Sequence, residues 1–362
     1  MSAPRPLVIG GGVMGLAAAW ALTRRGQRPL VVERFERGHS RGASHGATRN
    51  YNNAYTEPHY LDLLVRSRAG WDALGDVDGA PLLRLHGLVT HGSRPGDTAR
   101  PGLAEVARRL TERGIPADLL SGAEAGRRWP GMRFEESVLF SPGGGVVRAD
   151  AAISELERRI VAAGGEVRWN TPITRLVDDD GVVALTASGE RLEADLAVVT
   201  VGAWTRRLLP DVPAPPLRVT EESPAHFAAL APVWPSFNHI LDPALWPGNV
   251  YGMPTPGEGV KVGFHKVGDE VDPDDRPYRP TRQRELVEYV HEWFPGLDAD
   301  AAVPISCTYT STPDDAFVLD RTGNIVVGAG FSGQGFKFAT GVGEVLADLA
   351  EGRDAPAPFR FR

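Results

Sequence analysis

Cys307 is the single cysteine of a 362-residue chain, and it stands in Ser306-Cys307-Thr308-Tyr309-Thr310. The glycine-rich run Gly328-Ala329-Gly330-Phe331-Ser332-Gly333-Gln334-Gly335-Phe336-Lys337-Phe338 follows shortly after. One thiol can form neither an internal disulfide nor a multi-thiolate metal site. It can serve as a small buried hydrophobe, a nucleophile or a point of covalent attachment. Near the N-terminus, Gly10, Gly12 and Gly15 carry the Gly-x-Gly-x-x-Gly spacing. Glycines so spaced permit a tight turn and let a pyrophosphate approach the backbone at a helix N-terminus. Glu33, 18 residues beyond Gly15, is placed to accept hydrogen bonds from the ribose hydroxyls of a dinucleotide.

The surrounding elements must hold those residues in place. Leu7-Val8-Ile9 is a short apolar strand entering the glycines, and residues 16–22 are rich in helix formers, with Gly26 as a C-terminal cap. Residues 29–33 then read as a second buried strand ending in an acid, which completes a βαβ unit. Further on, Asp150 can cap a helix with Ile153, Leu156 and Ile160 on one face. Short strands are expected over 166–169, 182–185 and 196–201, the last delivering Gly202-Ala203-Trp204. Asp178-Asp179-Asp180-Gly181 reads as a turn. Residues 216–265 are strand-like with many prolines, and an amphipathic helix is expected from Thr281 through Leu286, Val290 and Trp293. A strand over 324–327 and a closing helix over 341–349 end the chain. Nucleotide-binding pieces at both ends with sheet-rich material between predict two interleaved domains. Residues 1–85, 145–215 and 310–362 form one, and 86–144 and 216–309 form the other.

Composition narrows the partners. The net charge is −7, from 39 basic and 46 acidic residues, which argues against nucleic acid and anionic membranes. The start, Met1-Ser2-Ala3-Pro4-Arg5-Pro6, passes directly into a strand and glycines, too short and too broken for a signal h-region or a spanning helix. With the single thiol, this predicts a reducing, cytoplasmic setting. His39, His59, His86, His91, His226, His239 and His291 show no metal-ligand spacing, and no metal is expected. Gly-x-Ser-x-Gly and His-Glu-x-x-His are both missing, so hydrolase and metalloprotease chemistry lack support.

Four blocks carry a family resemblance: the N-terminal glycines, Gly42-Ala43-Ser44-His45-Gly46-Ala47-Thr48-Arg49, Val260-Lys261-Val262-Gly263-Phe264-His265, and the stretch from Cys307 to Leu349. The chain resembles the monomeric sarcosine oxidase and N-methyltryptophan oxidase branch of the FAD-dependent amine oxidases, with D-amino acid oxidase more distant. The resemblance implies a mixed α/β fold: a Rossmann-like FAD domain of glutathione-reductase type with an interleaved antiparallel-sheet substrate domain. It implies FAD attached covalently to the Cys307 sulfur. Gly10, Gly12, Gly15, Glu33, Ser44, Thr48, Gly202, Trp204, Gly330, Gly333, Gly335, Phe336 and Lys337 would lie against that cofactor.

The implied reaction moves a hydride equivalent from the carbon beside an amine nitrogen to the flavin. Water hydrolyses the imine, and O₂ is reduced to H₂O₂. By the resemblance, Lys261 activates oxygen, Arg49 and His45 lie close to the flavin ring, and His265 and Tyr309 are active-site polar groups. Lys337 would hold a substrate carboxylate, and Tyr251 would face the substrate. The partners are thus a small amine and O₂, with a monomer expected. One departure stands out: the family's sarcosine-oxidising members carry a second arginine three residues beyond the first, where this chain has Asn52. A cyclic imino-acid oxidase, or an amine dehydrogenase that does not use O₂, is the alternative. An NAD(P)-linked dehydrogenase would leave Cys307 and the glycine-rich tail without a role, and a non-catalytic flavoprotein would leave Lys261 and Lys337 without one.

Overall fold

The computed structural model describes residues 5–93 and 101–362. The first four residues, on which part of the N-terminal reading rests, and residues 94–100 of the sheet-rich portion lie outside the described residues.

Short runs of Val, Ile and Leu, apolar on both faces, can be stable only inside a sheet covered on both sides. A six-stranded sheet is built from them, in the order Glu166–Arg168, Leu30–Val32, Leu7–Ile9, Ala197–Val199, Ile325–Ala329, Val318–Thr322. The first five run parallel, and the last returns antiparallel. Side chains alternate across the sheet. Val8, Val31, Val198 and Val326 join the core formed with helices Val13–Arg24, Pro58–Leu74, Ala149–Ala162 and Ala339–Ala350. Leu7, Ile9, Leu30, Val32, Val199 and Val327 pack on the other side against the three-stranded sheet Ile173–Asp178, Val182–Thr186, Arg191–Ala194.

Two glycines of the N-terminal turn are required by close approach. A Cβ on Gly10, which sits at φ +110°, would fall 2.6 Å from the Thr200 carbonyl oxygen. One on Gly15 would fall 1.9 Å from the carbonyl oxygen of Gly10. The helix that follows ends as its sequence predicts. Gly26 adopts φ +79°, its amide bonds to Thr23, and the amide of Gln27 bonds to Leu22, closing a Schellman motif.

A second, eight-stranded sheet runs in the order Leu297–Pro304, Ala225–Ala229, Gly259–Phe264, Val250–Thr255, Ser236–Ile240, Leu88–Gly92, Ser137–Ser141, Asp118–Ser121. It is antiparallel apart from one pair, since Ser236–Ile240 lies parallel to Leu88–Gly92. Helix Gln283–Trp293 covers it through Leu286, Tyr289 and Val290 against Phe227, Phe237 and Phe264. Two small sheets bridge the large ones: Thr48–Tyr51, Gly145–Arg148, Leu83–Leu85, and Asp269–Glu270, Arg218–Glu222, Cys307–Ser311.

Three expected boundaries shift. Asp150 lies inside the first turn of its helix instead of capping it, because its carboxylate accepts from the Gly46 amide at 2.8 Å. The helix expected from Thr281 begins at Gln283, after Arg282 takes a left-handed φ of 58°. The closing helix begins at Ala339, two residues earlier than expected, by continuing directly from the turn Phe336–Phe338. Among the described residues, no helix is long and apolar enough to cross a membrane.

Candidate active site

A cleft of about 1010 Å³ runs between the two large sheets, from the N-terminal glycines to Cys307, Lys261 and Lys337. It lies at the upper end of small-molecule cavity sizes, as a dinucleotide requires.

At the nucleotide end, the floor is the turn after Leu7–Ile9 and the first amides of helix Val13–Arg24. Glu33 is buried, with one carboxylate oxygen accepting from the Gly11 amide at 2.7 Å and the other from the Phe35 amide at 3.0 Å. The acid therefore fixes the turn that it lines. The Ser44 hydroxyl accepts from the Val13 amide at 3.1 Å, at the helix N-terminus. A Cβ on Gly11 would meet the Glu33 side chain at 2.8 Å and Trp169 at 3.1 Å, so the backbone here is bare by necessity. Gly202 and Trp204 form a short turn on the wall, with the indole N–H of Trp204 donating to Asp274 at 2.7 Å. A bare amide floor, an acid beside it and aromatic walls from Trp169 and Trp204 would hold the dinucleotide part of FAD.

At the other end, Cys307 is buried at the start of its strand, directly opposite Glu222. Glu222 is buried too, and burial raises its pKa although it accepts from Thr220 Oγ1 and the amides of Val267 and Gly268. Lys261 projects from Gly259–Phe264 and is buried. Burial, then the charge of Arg49, lowers its pKa from 10.5 to about 7. Lys337 sits in the turn Phe336–Phe338, donating to the Gln334 carbonyl at 2.8 Å and the Tyr55 hydroxyl at 3.0 Å. Burial alone lowers it to about 7. Tyr55 in turn donates to Gln334 Oε1 at 2.9 Å.

His45 has Nδ1 2.9 Å from the Gly42 carbonyl and Nε2 3.1 Å from the Ser306 carbonyl. Burial and the Arg49 charge lower its pKa to about 4, so the ring is neutral and donates to only one of the two. Arg49 ties down its own loop, donating to the carbonyls of Thr48 and Ala43 at 2.9 Å each and to that of His45. Tyr251, His265 and Tyr309 form one wall: the His265 ring lies 6.3 Å from Tyr251 and 5.5 Å from Tyr309. Gly333 makes room for this wall, since a Cβ there would fall 2.3 Å from the Tyr309 ring.

Of the residues singled out from sequence, Gly10, Gly12, Glu33, Ser44, His45, Arg49, Asn52, Gly202, Trp204, Tyr251, Lys261, His265, Cys307, Tyr309, Gly330, Gly333, Gly335, Phe336 and Lys337 line the cleft. Gly15 and Thr48 do not. Gly15 is packed beneath the turn against Gly10. The Thr48 hydroxyl is 2.7 Å from that of Thr255, on the far side of its strand. Asn52 turns its Oδ1 onto the Ala54 amide at 2.8 Å, so half of its amide is held by its own loop. Beside it, Asn50 has a buried Oδ1 without a partner among the described residues. Tyr55 and Glu222 had no sequence signal, because they meet Lys337 and Cys307 only through long-range pairings, whereas Gln334 stands inside the glycine-rich run and reaches Lys337 locally. Among the described residues, no group of three potential metal ligands occurs.

Comparison with known proteins agrees with this geometry. Residues 6–349 match the profile of the DAO family, described as FAD dependent oxidoreductase. Monomeric sarcosine oxidase of Bacillus sp. (strain B-0618) is 32% identical over 363 residues, 95% of this chain and 91% of that protein. N-methyl-L-tryptophan oxidase of Citrobacter koseri is 30% identical, covering 98% of this chain and 97% of its own. Among solved structures, the open form of a NikD point mutant superposes with a TM-score of 0.87 at 26% identity, covering 100% of this chain and 98% of that one. NikD is described as an unusual amino acid oxidase essential for nikkomycin biosynthesis.

Proposed function

Because the chain belongs to the DAO family of FAD-dependent oxidoreductases, we propose that it oxidises a secondary or primary amine of amino-acid type, with O₂ as acceptor and FAD joined to Cys307. The observation that carries this reading is a pair of buried lysines facing one cleft, Lys261 from the eight-stranded sheet and Lys337 from the turn after the six-stranded sheet. Buried ammonium groups without carboxylate partners are costly, and they persist where an anion or developing negative charge is to be met.

When bound, FAD supplies the two-electron acceptor for a C–N bond. The chain supplies the rest. Residues 1–85, 145–215 and 310–362 hold the cofactor, and 86–144 and 216–309 close over the substrate. Lys337, steadied by Tyr55 and the Gln334 carbonyl, takes a substrate carboxylate. The Tyr251, His265 and Tyr309 wall packs the amine side and excludes water. Lys261 and Arg49 place positive charge where electrons reach oxygen. His45, neutral at physiological pH, holds the segment around Ser306 beside Cys307.

The names of the sarcosine and N-methyl-L-tryptophan oxidase relatives support looking for the substrate among N-substituted amino acids. Asn52 and the unpartnered Asn50 Oδ1 argue for a neutral hydrogen-bond donor on the substrate, in place of a second carboxylate clamp. The protein acts as a monomer in a reducing compartment, which its single thiol suits. The test is a panel of N-alkyl, cyclic and primary amines, each with and without a carboxylate, assayed for peroxide release. Release only from carboxylate-bearing amines is expected; release from none refutes the proposal.

A further inference from the structure

A second cavity, of about 290 Å³, lies behind the flavin end of the cleft and shares Lys261 and Cys307 with it. A row of directly paired residues crosses the large sheet from one cavity to the other. Met253 is opposite Lys261, Lys261 is opposite His226, and His226 is opposite Val303. Residues directly opposite in antiparallel strands share a face, with Cβ atoms about 4.5–5.5 Å apart. Exposure climbs along the row: 1% at Met253, 6% at Lys261, 62% at Val303. The His226 side chain is 12% exposed, and its Nδ1 lies 2.9 Å from Oε2 of Glu258, whose side chain is 47% exposed in the hairpin turn before Gly259–Phe264. His226 thus stands opposite Lys261 across the ladder and against the exposed Glu258 carboxylate.

We propose that His226 and Glu258 form a proton relay that recharges Lys261 during oxygen reduction, by a route separate from the amine cleft. This rests on the oxidase reading above. Reduction of O₂ to H₂O₂ takes two electrons and two protons. Both electrons and one proton arrive as the hydride taken from the amine carbon; the second proton, whose equivalent the amine nitrogen gives up to water as the imine forms, has to be delivered to oxygen separately. Lys261 can donate it, and becomes neutral. The cavity also holds Arg49, His45, Arg276, Tyr278 and Cys307, and Glu258 is its only carboxylate among the described residues. Burial, then the charges of Lys261 and Arg49, lowers the His226 pKa to about 4. Loss of the Lys261 charge removes one of those causes, so His226 becomes more basic just when a proton is needed. It takes one from solvent, stabilised as imidazolium by Glu258, and passes it to Lys261.

The test uses holoenzyme reduced chemically, so that the amine need not be known, and mixed with O₂ in H₂O and D₂O. His226→Asn should slow reoxidation by roughly 10²-fold, the lower end for positioned proton transfer. It should enlarge the solvent isotope effect, and added imidazole should restore part of the rate. Glu258→Gln, at an exposed position, should slow it in the same sense. Independently of turnover, the ring signals of His226, assigned by their loss in His226→Asn, should titrate at higher pH in Lys261→Met. Unchanged reoxidation in both relay variants, or a His226 titration indifferent to Lys261→Met, overturns the relay and leaves the oxidase reading standing. Wild-type protein that reoxidises no faster than free reduced flavin overturns both.

Discussion

A carboxylate bound at Lys337, as proposed above, should couple its binding to proton uptake. Burial lowers the Lys337 pKa from 10.5 to about 7, and its Nζ donates to the neutral oxygens of Gln334 and Tyr55. A bound carboxylate favours the charged form and raises that pKa again. The sign follows: below pH about 7 the lysine is already protonated and binding is proton-neutral. Above it, each binding event must take up a proton, and affinity falls by about tenfold per pH unit, or about 1.36 kcal/mol. Between pH 7 and pH 9 the dissociation constant of a small carboxylate without an amine should rise by roughly 10²-fold. Calorimetry at pH 8 in two buffers of different ionisation enthalpy should show uptake of about 0.9 proton per ligand. Lys337→Met should abolish the pH step and weaken binding at pH 6 by about 10- to 150-fold, the value of one charge-assisted bond. Because Lys261 is also lowered to about 7, Lys261→Met is the control, and it should keep the step. A wild-type affinity that is flat from pH 6 to 9 with no proton uptake refutes the assignment of Lys337 to the carboxylate.

Lys261→Met should slow reoxidation by O₂ by orders of magnitude and affect anaerobic flavin reduction far less, read by stopped-flow absorbance; normal reoxidation would contradict its role. Asn52→Arg gives up the bond to the Ala54 amide, worth about 1 kcal/mol. It should still raise kcat/KM for small N-methyl amino acids by about 10- to 150-fold, while an unchanged value would show that position 52 does not face the carboxylate. Acid-precipitated wild-type protein should remain yellow and carry the mass of one FAD, whereas Cys307→Ser should release all of its flavin to the supernatant.

Much of the nucleotide-binding half was legible in the sequence because its signals are local. Leu7–Ile9 and Leu30–Val32 are apolar at every position, as strands buried on both faces must be. Gly26 closes its helix through neighbours in the chain. Expectations failed where a distant partner decided the outcome. Asp150 was drawn from the cap position to the Gly46 amide, and the Thr48 hydroxyl to Thr255, neither of which a local pattern can encode. His226, grouped with the scattered histidines by sequence, acquires meaning only from its register opposite Lys261. Glu222 likewise gains its place only opposite Cys307, and Tyr55 only by folding onto Lys337.

The central claim is that an amine reduces a flavin held in this cleft. It is tested most directly by adding the carboxylate-bearing amine panel to the holoenzyme without oxygen and following the flavin absorbance. At least one amine should bleach the flavin stoichiometrically, and admitting air should restore the colour with one H₂O₂ released per amine oxidised. Flavin that no amine bleaches, but that a reduced nicotinamide does, would contradict the assignment.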